Sequence, residues 1–566
     1  MLKIEELQKN LAEMKIDAYL INHSNMFIKQ DILDEENKLL ELTGFSGSNG
    51  ILLVMQNKSV LLVDGRYEIQ AKQEVENKNI EIYCTRLYPT SAILAPFVCG
   101  KIRSLMYNPW CFTQKSIKYM QDVFCGVEMI ADEDNLLGSL VSEKSANVFE
   151  HKIEFAGKTA EEKLKIVTEK MAQCGLEHYL LCDSASVSWL LNLRSDILPN
   201  TPVLRAFALI AKNGSYEIFA HNLKGIDYTE MKNLPQRLKS LGDEKIGIDK
   251  QNTPQKITNI IKHGYNMQNP IIEAKSIKSA VEMSGFENAH IRDGVALCKF
   301  LCWFDKCGEG KTELDICEKL YSLRQEQKYF YSNSFDTIAA YGSNAAIVHY
   351  SPSKKTNKTI EKDSMLLLDS GAQYFDGTTD VTRTIAVGKN IDEHIINDFT
   401  LVLKAHLALA STIFPDNTPD KNFDNIARRE LWKYGLEYKH GTGHGVGHFS
   451  DVHEMPPSMS ESGSGLLHEN MVLSIEPGIY KEGSHGIRIE NLFKTVLIKE
   501  APFDGRFMKF EPLTMAPVDK RLINKYLLST DEQNLFNTYH QKVYNTLEKY
   551  MNDEEKVWLK EACSSL

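Results

Sequence analysis

No stretch of the chain reaches the 18 or so consecutive apolar residues that cross a bilayer. The N-terminal run MLKIEELQKNLAEMKIDAYLI is charged and amphipathic, where a secretory leader would carry an apolar core. Both absences point to a cytoplasmic protein without a membrane partner. Excess positive charge is missing too: 65 Lys and Arg stand against 76 Asp and Glu, a net charge of −11. That argues against a nucleic-acid partner, which would usually call for a basic face. The 11 cysteines are odd in number and show no framework spacing, so reduced thiols are expected. Cys298, Cys302, Cys307 and Cys317 lie close in sequence. Yet Cys298 and Cys302 fall in GVALCKFLCWFD, on one apolar helix face with Val295, Leu297, Leu301 and Phe304, and cysteine packs there as a small hydrophobe.

What is present is ordinary globular material, 43% hydrophobic and 25% charged, in a chain of 566 residues that exceeds a single core. Two segments read alike. LQKNLAEMKIDAYLINHS and KLKIVTEKMAQCGLEHYLLCDS each pass from a helical pattern into a strand, near Asp17–Ile21 and near Glu177–Leu181. Each is followed by a short apolar segment and then two strand-like runs, joined by turns at Gln56–Lys58 and Lys212–Ser215. This predicts a duplicated α/β domain, at residues 1–150 and 151–274, with EHKIEFAGKTAEEK as linker and helix start. From 275 to 566 the pattern changes: helices are expected near 276–305, 312–328 and 391–412, strands lie between and after them, and the C-terminus is helical. Helices and strands mix without strict alternation, which fits α+β.

KHGTGHGVGHFSDVHE, from Lys439 to Glu454, holds His440, His444, His448 and His453. The first three recur at i, i+4 and i+8, as on one face of a zinc-binding helix. Gly441, Gly443, Gly445 and Gly447 interleave them, and four interior glycines would cost a helix about 4 kcal/mol. A zinc-protease helix also needs Glu directly after its first His, where Gly441 stands. Extended or looped backbone is therefore expected, with the histidines serving other partners.

Those partners are sought among carboxylates that lie in or beside apolar strands: Asp369 ends MLLLD, Asp380 begins DVTRTIAV, Glu476 follows MVLSI and Glu490 follows GIRI. A buried carboxylate is costly unless it is paired or binds metal. Asp376-Gly377 marks a hairpin turn between the two aspartates. A two-residue turn there pairs Gln373 with Asp380 and leaves the aspartates four residues apart, about 13 Å. A bulge or wider loop between Gly371 and Thr379 is therefore expected to bring them level. Two Asp, two Glu and one His make a mostly oxygen shell, and four carboxylates offset two divalent cations. It suits manganese, magnesium or cobalt, and zinc less strongly. A carboxylate-bridged metal pair would lower the pKa of a bound water, which is hydrolytic chemistry.

LLLDSGAQYFDGTTDVTRTIAVG, HGTGHGVGHFSDVHE, SIEPGIY and GIRIEN together resemble the pita-bread metallopeptidases, and within them the long three-domain aminopeptidases P. GFSGSNG, DGRY, WLLNLR and FEPLT extend the resemblance over essentially the whole chain. The resemblance implies two creatinase-like α/β domains followed by a pita-bread α+β catalytic domain. It implies two divalent metal ions, Mn2+ foremost with Co2+ or Zn2+ as alternatives. Asp369 would hold one and His444 and Glu476 the other, with Asp380 and Glu490 bridging. His349, His440 and His453 would face the substrate, His453 at the scissile carbonyl, and Glu476 would pass the proton on. Arg488 would orient a bridging carboxylate. The implied reaction is hydrolysis of an N-terminal Xaa-Pro bond by a metal-bridging hydroxide, on peptides with proline second, by a homodimer. His448 takes no role, and Met455 stands where the family usually shows glycine. An Xaa-Pro dipeptidase would use the same ligands, but two leading domains argue against it. A non-catalytic peptide-binding protein would not need all five ligands intact.

Overall fold

The computed structural model describes residues 3–28, 31–86, 88–261, 263–498 and 504–566. The chain forms two compact units. One comprises Met1–His151, Lys158–Leu198 and Pro202–Ile271; the other comprises Lys152–Gly157, Pro199–Thr201 and Ile272–Leu566.

The first unit contains two six-stranded sheets of matching design. One runs in the order Ile80–Cys84, Ser59–Val63, Ile51–Met55, Ala18–Asn22, Ser104–Tyr107, Glu128–Ala131. The other runs Thr229–Glu230, Tyr216–Ala220, Ala206–Ala211, His178–Leu181, Ile246–Ile248, Gly264–Asn266. Ala18–Asn22 lies antiparallel to one neighbour and parallel to the other, and His178–Leu181 repeats the arrangement. The turns expected at Gln56–Lys58 and Lys212–Ser215 join antiparallel neighbours in each sheet. Side chains alternate across the first sheet. Tyr19 and Ile21 pack with Leu7 and Leu11 on one face, while Ala18 and Leu20 pack with Leu94 and Val98 on the other. With both faces covered, the strand reads as continuously apolar. Within the linker segment, Thr159 and Glu162 form a capping box that starts the helix Ala160–Cys174.

In the second unit every described strand pair is antiparallel. A three-stranded sheet sets Ser364–Ser370 between Ile338–Tyr341 and Val381–Val387. A six-stranded sheet runs Ile413–Pro415, Phe507–Pro512, Asn491–Leu497, Val472–Ile475, Gly443–Gly445, Glu454–Met459. The expected first helix is a single one, Ala280–Cys307, opened by a Ser279–Glu282 capping box, and a short helix, Pro270–Ser276, precedes it. Leu297, Leu301 and Phe304 of that helix pack on Leu366, Leu368, Val381 and Ile385. Cys298 and Cys302 are buried thiols, as the apolar pattern implied. The C-terminal helical stretch breaks into Thr530–Leu547 and Asp553–Ala562, because Asn552 and Glu555 cap the second helix.

Candidate metal centre

The hairpin carrying the two aspartates departs from expectation. Its turn residues are Phe375 and Asp376, with Tyr374 opposite Gly377, so the tip lies one residue earlier than the Asp-Gly signal implied. One register holds from Ser364↔Val387 through to Tyr374↔Gly377, and no bulge intervenes. Asp369 faces Thr382, two residues from Asp380 on the same face. The offset is about 7 Å along the strand rather than 13. Gly377 is spent on helix packing instead: a Cβ there would lie 3.0 Å from Ala289 Cβ and 3.2 Å from Phe286 Cα.

The histidine stretch is extended at His444. Gly443–Gly445 is a short strand between Glu454–Met459 and Val472–Ile475. Its glycines permit close approach: a Cβ on Gly443 would lie 2.0 Å from Ser474 O, and one on Gly445 2.3 Å from Glu454 O. His444 is thereby enclosed from both sides. Its Nδ1–H donates to Gly445 O at 2.9 Å, which leaves Nε2 with its lone pair turned toward the carboxylates.

His444 Nε2 lies 3.5 Å from Asp380 Oδ2 and 3.5 Å from Glu476 Oε1. Two donors each about 2.1 Å from one cation, at a tetrahedral angle, stand about 3.4 Å apart. Asp380, His444 and Glu490 each offer a ligand atom, all within 4.8 Å of one another, the one such grouping found among the described residues. Asp380 and Glu490 are buried, while Glu476 keeps 19% side-chain exposure. Burial, then the charges of Asp369 and Glu476, push the Asp380 carboxyl well above the usual carboxylate range. Burial, then Asp380 and Asp369, do the same to Glu490. Burial also raises Glu476, against the pull of His444 and Arg488.

Arg488 is the neighbouring cation, but it grips a different carboxylate from the one expected. Its Nη2 donates to Asp369 Oδ2 at 2.6 Å, and it reaches bridging-candidate Glu490 only through Thr382. Nε donates to Thr382 Oγ1 at 3.1 Å, and that hydroxyl donates to Glu490 Oε2 at 2.8 Å. Asp369 Oδ1 is buried with no hydrogen-bond partner among the described residues. An enclosed group of four carboxylates beside one guanidinium, with an orphaned carboxylate oxygen and an imidazole nitrogen facing inward, fits divalent cations.

The remaining histidines separate. His440 Nδ1–H donates to Gly441 O at 2.7 Å, and its Nε2 meets Tyr480 Oη at 2.8 Å. The same ring lies 3.9 Å from Glu476 Oε2. His453 is exposed, its ring 4.4 Å from that of His444. His349 is half-buried and follows Val348, whose carbonyl accepts from Arg488 at 3.4 Å. His448 is buried elsewhere, donating from Nε2 to Asp376 O at 3.0 Å and lying edge-on to Phe286. Several supports escaped sequence reasoning. Ser474 Oγ accepts from His444 N at 3.0 Å and donates to Glu476 Oε1 at 3.3 Å. Tyr480 and Thr382 sat inside quoted motifs, yet nothing local marks which groups they hold.

A profile of metallopeptidase family M24 matches residues 284–500, and one for the C-terminal region of peptidase M24 matches 506–566. Two profiles of creatinase/prolidase N-terminal domains match 3–132 and 141–282. Xaa-Pro aminopeptidase 1 of Dictyostelium discoideum is 33% identical over 604 residues, covering 99% of this chain and 95% of that one. The chain belongs to metallopeptidase family M24. Among solved structures, X-prolyl aminopeptidase from Caenorhabditis elegans is described as a cytosolic enzyme with a di-nuclear active site. It matches with a TM-score of 0.91 at 30% identity, covering 97% of this chain and 95% of that one. Prolidase from Pyrococcus horikoshii matches with a TM-score of 0.50 at 26% identity, covering 63% of this chain and 99% of its own. This M24 metallopeptidase thus carries two creatinase-like α/β domains ahead of a pita-bread α+β domain, and all the acidic candidates lie in the latter.

Proposed function

We propose that this chain is an Xaa-Pro aminopeptidase, hydrolysing the bond between a peptide's first residue and a proline in second place. In this reading Asp369, Asp380, His444, Glu476 and Glu490 would hold two divalent cations, and Asp380 and Glu490 would serve both. The observation that carries it is the carboxylate group around His444 Nε2, spaced at 3.5 Å and short of positive charge. Relatives named for this activity span the whole chain, whereas the prolidase match leaves over a third of it uncovered. When bound, the two cations supply Lewis-acid polarisation of the scissile carbonyl and activation of the attacking water.

The chain's own residues do the rest. Glu476 presents one oxygen to His444 and the other toward His440, so it can take a proton from the attacking water. It then delivers that proton to the proline nitrogen as the C–N bond breaks. His453, exposed beside the His444 ring, faces the scissile carbonyl and donates to its oxygen as charge develops. His440, steered by Gly441 O and Tyr480, and half-buried His349 line the substrate cleft. An Xaa-Pro bond has no N–H to satisfy, so a pocket that offers it no acceptor favours proline. Manganese is the metal this reading favours for a mostly oxygen shell. The reading also takes in a cytoplasmic homodimer with domains at 1–150, 151–274 and 275–566.

Hydrolysis of Arg-Pro-Pro and Arg-Pro with Mn2+, against Asp380→Asn, tests it. Release of Arg from the tripeptide by the wild type and not by the variant is expected. Turnover of Arg-Pro without Arg-Pro-Pro would make the chain a dipeptidase, and an Asp380→Asn protein of full activity would refute the shared-ligand assignment.

A further inference from the structure

Arg383 is 2% exposed on the strand Val381–Val387, three residues past Asp380. Its donors go to oxygens of its own strand and of three other segments. Nη1 donates to Thr382 O at 2.8 Å and to Glu490 O at 2.7 Å. Nη2 donates to Asn491 Oδ1 and Ala516 O, both at 2.7 Å, and to Tyr539 Oη at 3.0 Å. Nε donates to Pro517 O at 2.9 Å. Each of these acceptors is a carbonyl, amide or hydroxyl oxygen rather than a carboxylate. Burying a guanidinium this way costs free energy that a well-packed apolar side chain would not. The cost is informative because of what the guanidinium holds.

On one side it holds the peptide of Glu490. Glu490 N donates to Thr382 O at 3.2 Å, and Thr382 Oγ1 donates to the Glu490 carboxylate at 2.8 Å. With the Arg383 bonds, backbone and side chain of Glu490 are both tied to residues 382 and 383. On the other side lies the C-terminal region. Tyr539, on the helix Thr530–Leu547, donates its hydroxyl to Ala516 O at 2.7 Å while accepting from Arg383. Two residues past Ala516, Val518 N donates to Nε2 of His540, the neighbour of Tyr539, at 3.1 Å. A continuous hydrogen-bonded path therefore runs from a helix near the end of the chain to the peptide unit of Glu490.

We infer that Arg383 and Tyr539 are positioning residues for the metal centre, through which the C-terminal region braces Glu490. This rests on reading Glu490 as a metal ligand. A ligand whose support is removed keeps its identity and loses its placement. Such losses weaken metal binding about 10–100-fold.

The test uses the full chain and Mn2+ alone, with Tyr539→Phe, Arg383→Lys and Glu490→Gln. Mn2+ affinity and stoichiometry are read by chelator competition, folding by thermal unfolding, and kcat and KM on Arg-Pro-Pro. Tyr539→Phe is expected to unfold within a few degrees of wild type, yet to bind Mn2+ about 10-fold more weakly. Its kcat should fall with KM unchanged and recover in excess Mn2+. Arg383→Lys should move further in the same direction. If it fails to fold, Tyr539→Phe decides. Wild-type Mn2+ affinity in both variants, with only the unfolding temperature lowered, would make Arg383 a core stabiliser and overturn the brace. Glu490→Gln separates the two failures. Full Mn2+ binding there removes the ligand reading and the brace with it. Loss of Mn2+ there, with none in the other two, removes the brace alone.

Discussion

Glu454 and Glu490 are both buried, 3% and 1% exposed, and their surroundings are opposite. Lys275 Nζ and Lys278 Nζ donate to the Glu454 carboxylate at 2.7 and 2.5 Å. Burial works to raise its pKa, but the two ammonium charges outweigh burial and hold the carboxyl below the usual range. Glu490 lies among Asp380, Asp369 and Glu476, and burial and its neighbours push the same way, upward. A buried carboxylate is therefore no sign of function by itself. The local sum of charge is. Glu454 sits in a pocket with one positive charge to spare, and Glu490 in one that lacks positive charge and has room in its chemistry for cations.

Substitution by glutamine should separate the two pockets. Glu490→Gln should lower kcat/KM on Arg-Pro-Pro by about 10⁴-fold, because transition-state stabilisation from the metals is lost. Equal activity in this variant would end the contrast. Glu454→Gln should leave metal stoichiometry intact and destabilise the fold by about 3–5 kcal/mol, since it strands two buried lysines. Urea unfolding at unchanged m-value measures that loss. Free Mn2+ at 100 times its Kd should raise unfolding free energy by about 2.7 kcal/mol for each cation bound in wild type and in Glu454→Gln, and by far less in Glu490→Gln. The smallest effect is the most diagnostic of charge. The folded pKa of Glu454 lies below its ordinary value of 4.5, so its contribution is present above that pH and drains as pH falls through the folded value. The stability gap between wild type and Glu454→Gln should therefore close in acid below pH 4.5, as read by unfolding at stepped pH. A constant gap would show that Glu454 acts through packing and not through charge.

Much of this contrast was not legible in the sequence. The four carboxylate candidates stood out because acidic residues in apolar runs are anomalous wherever the partner lies, and the family resemblance singled out His444 among the four histidines. The duplication stood out because each repeat carries its own helix, strand and turn signals. The extended histidine stretch followed from glycine energetics, which are local. Errors arose where local signals compete. Asp376-Gly377 is a good turn dipeptide, but Gly377 is needed where the helix Ala280–Cys307 packs against the hairpin, and the tip moved to Phe375-Asp376. Arg488 was expected to orient a bridging carboxylate, and its direct partner is Asp369, 119 residues away. Nothing in the local sequence singles out Lys275 or Lys278, and they meet Glu454 across 179 and 176 residues.

The sequence by itself determined the inventory and the family: which residues are able to bind metal, in what order along the chain, and on what kind of strands and loops. Those follow from residue chemistry and short-range backbone preference. Tertiary structure alone decided which carboxylates meet each other and which meet lysine, which way His444 and His440 point their nitrogens, and that His448 packs on Phe286. Charge interactions and hydrogen bonds depend on distances of a few ångströms in space, and those distances are set only once hairpins, helices and loops far apart in sequence are folded against one another.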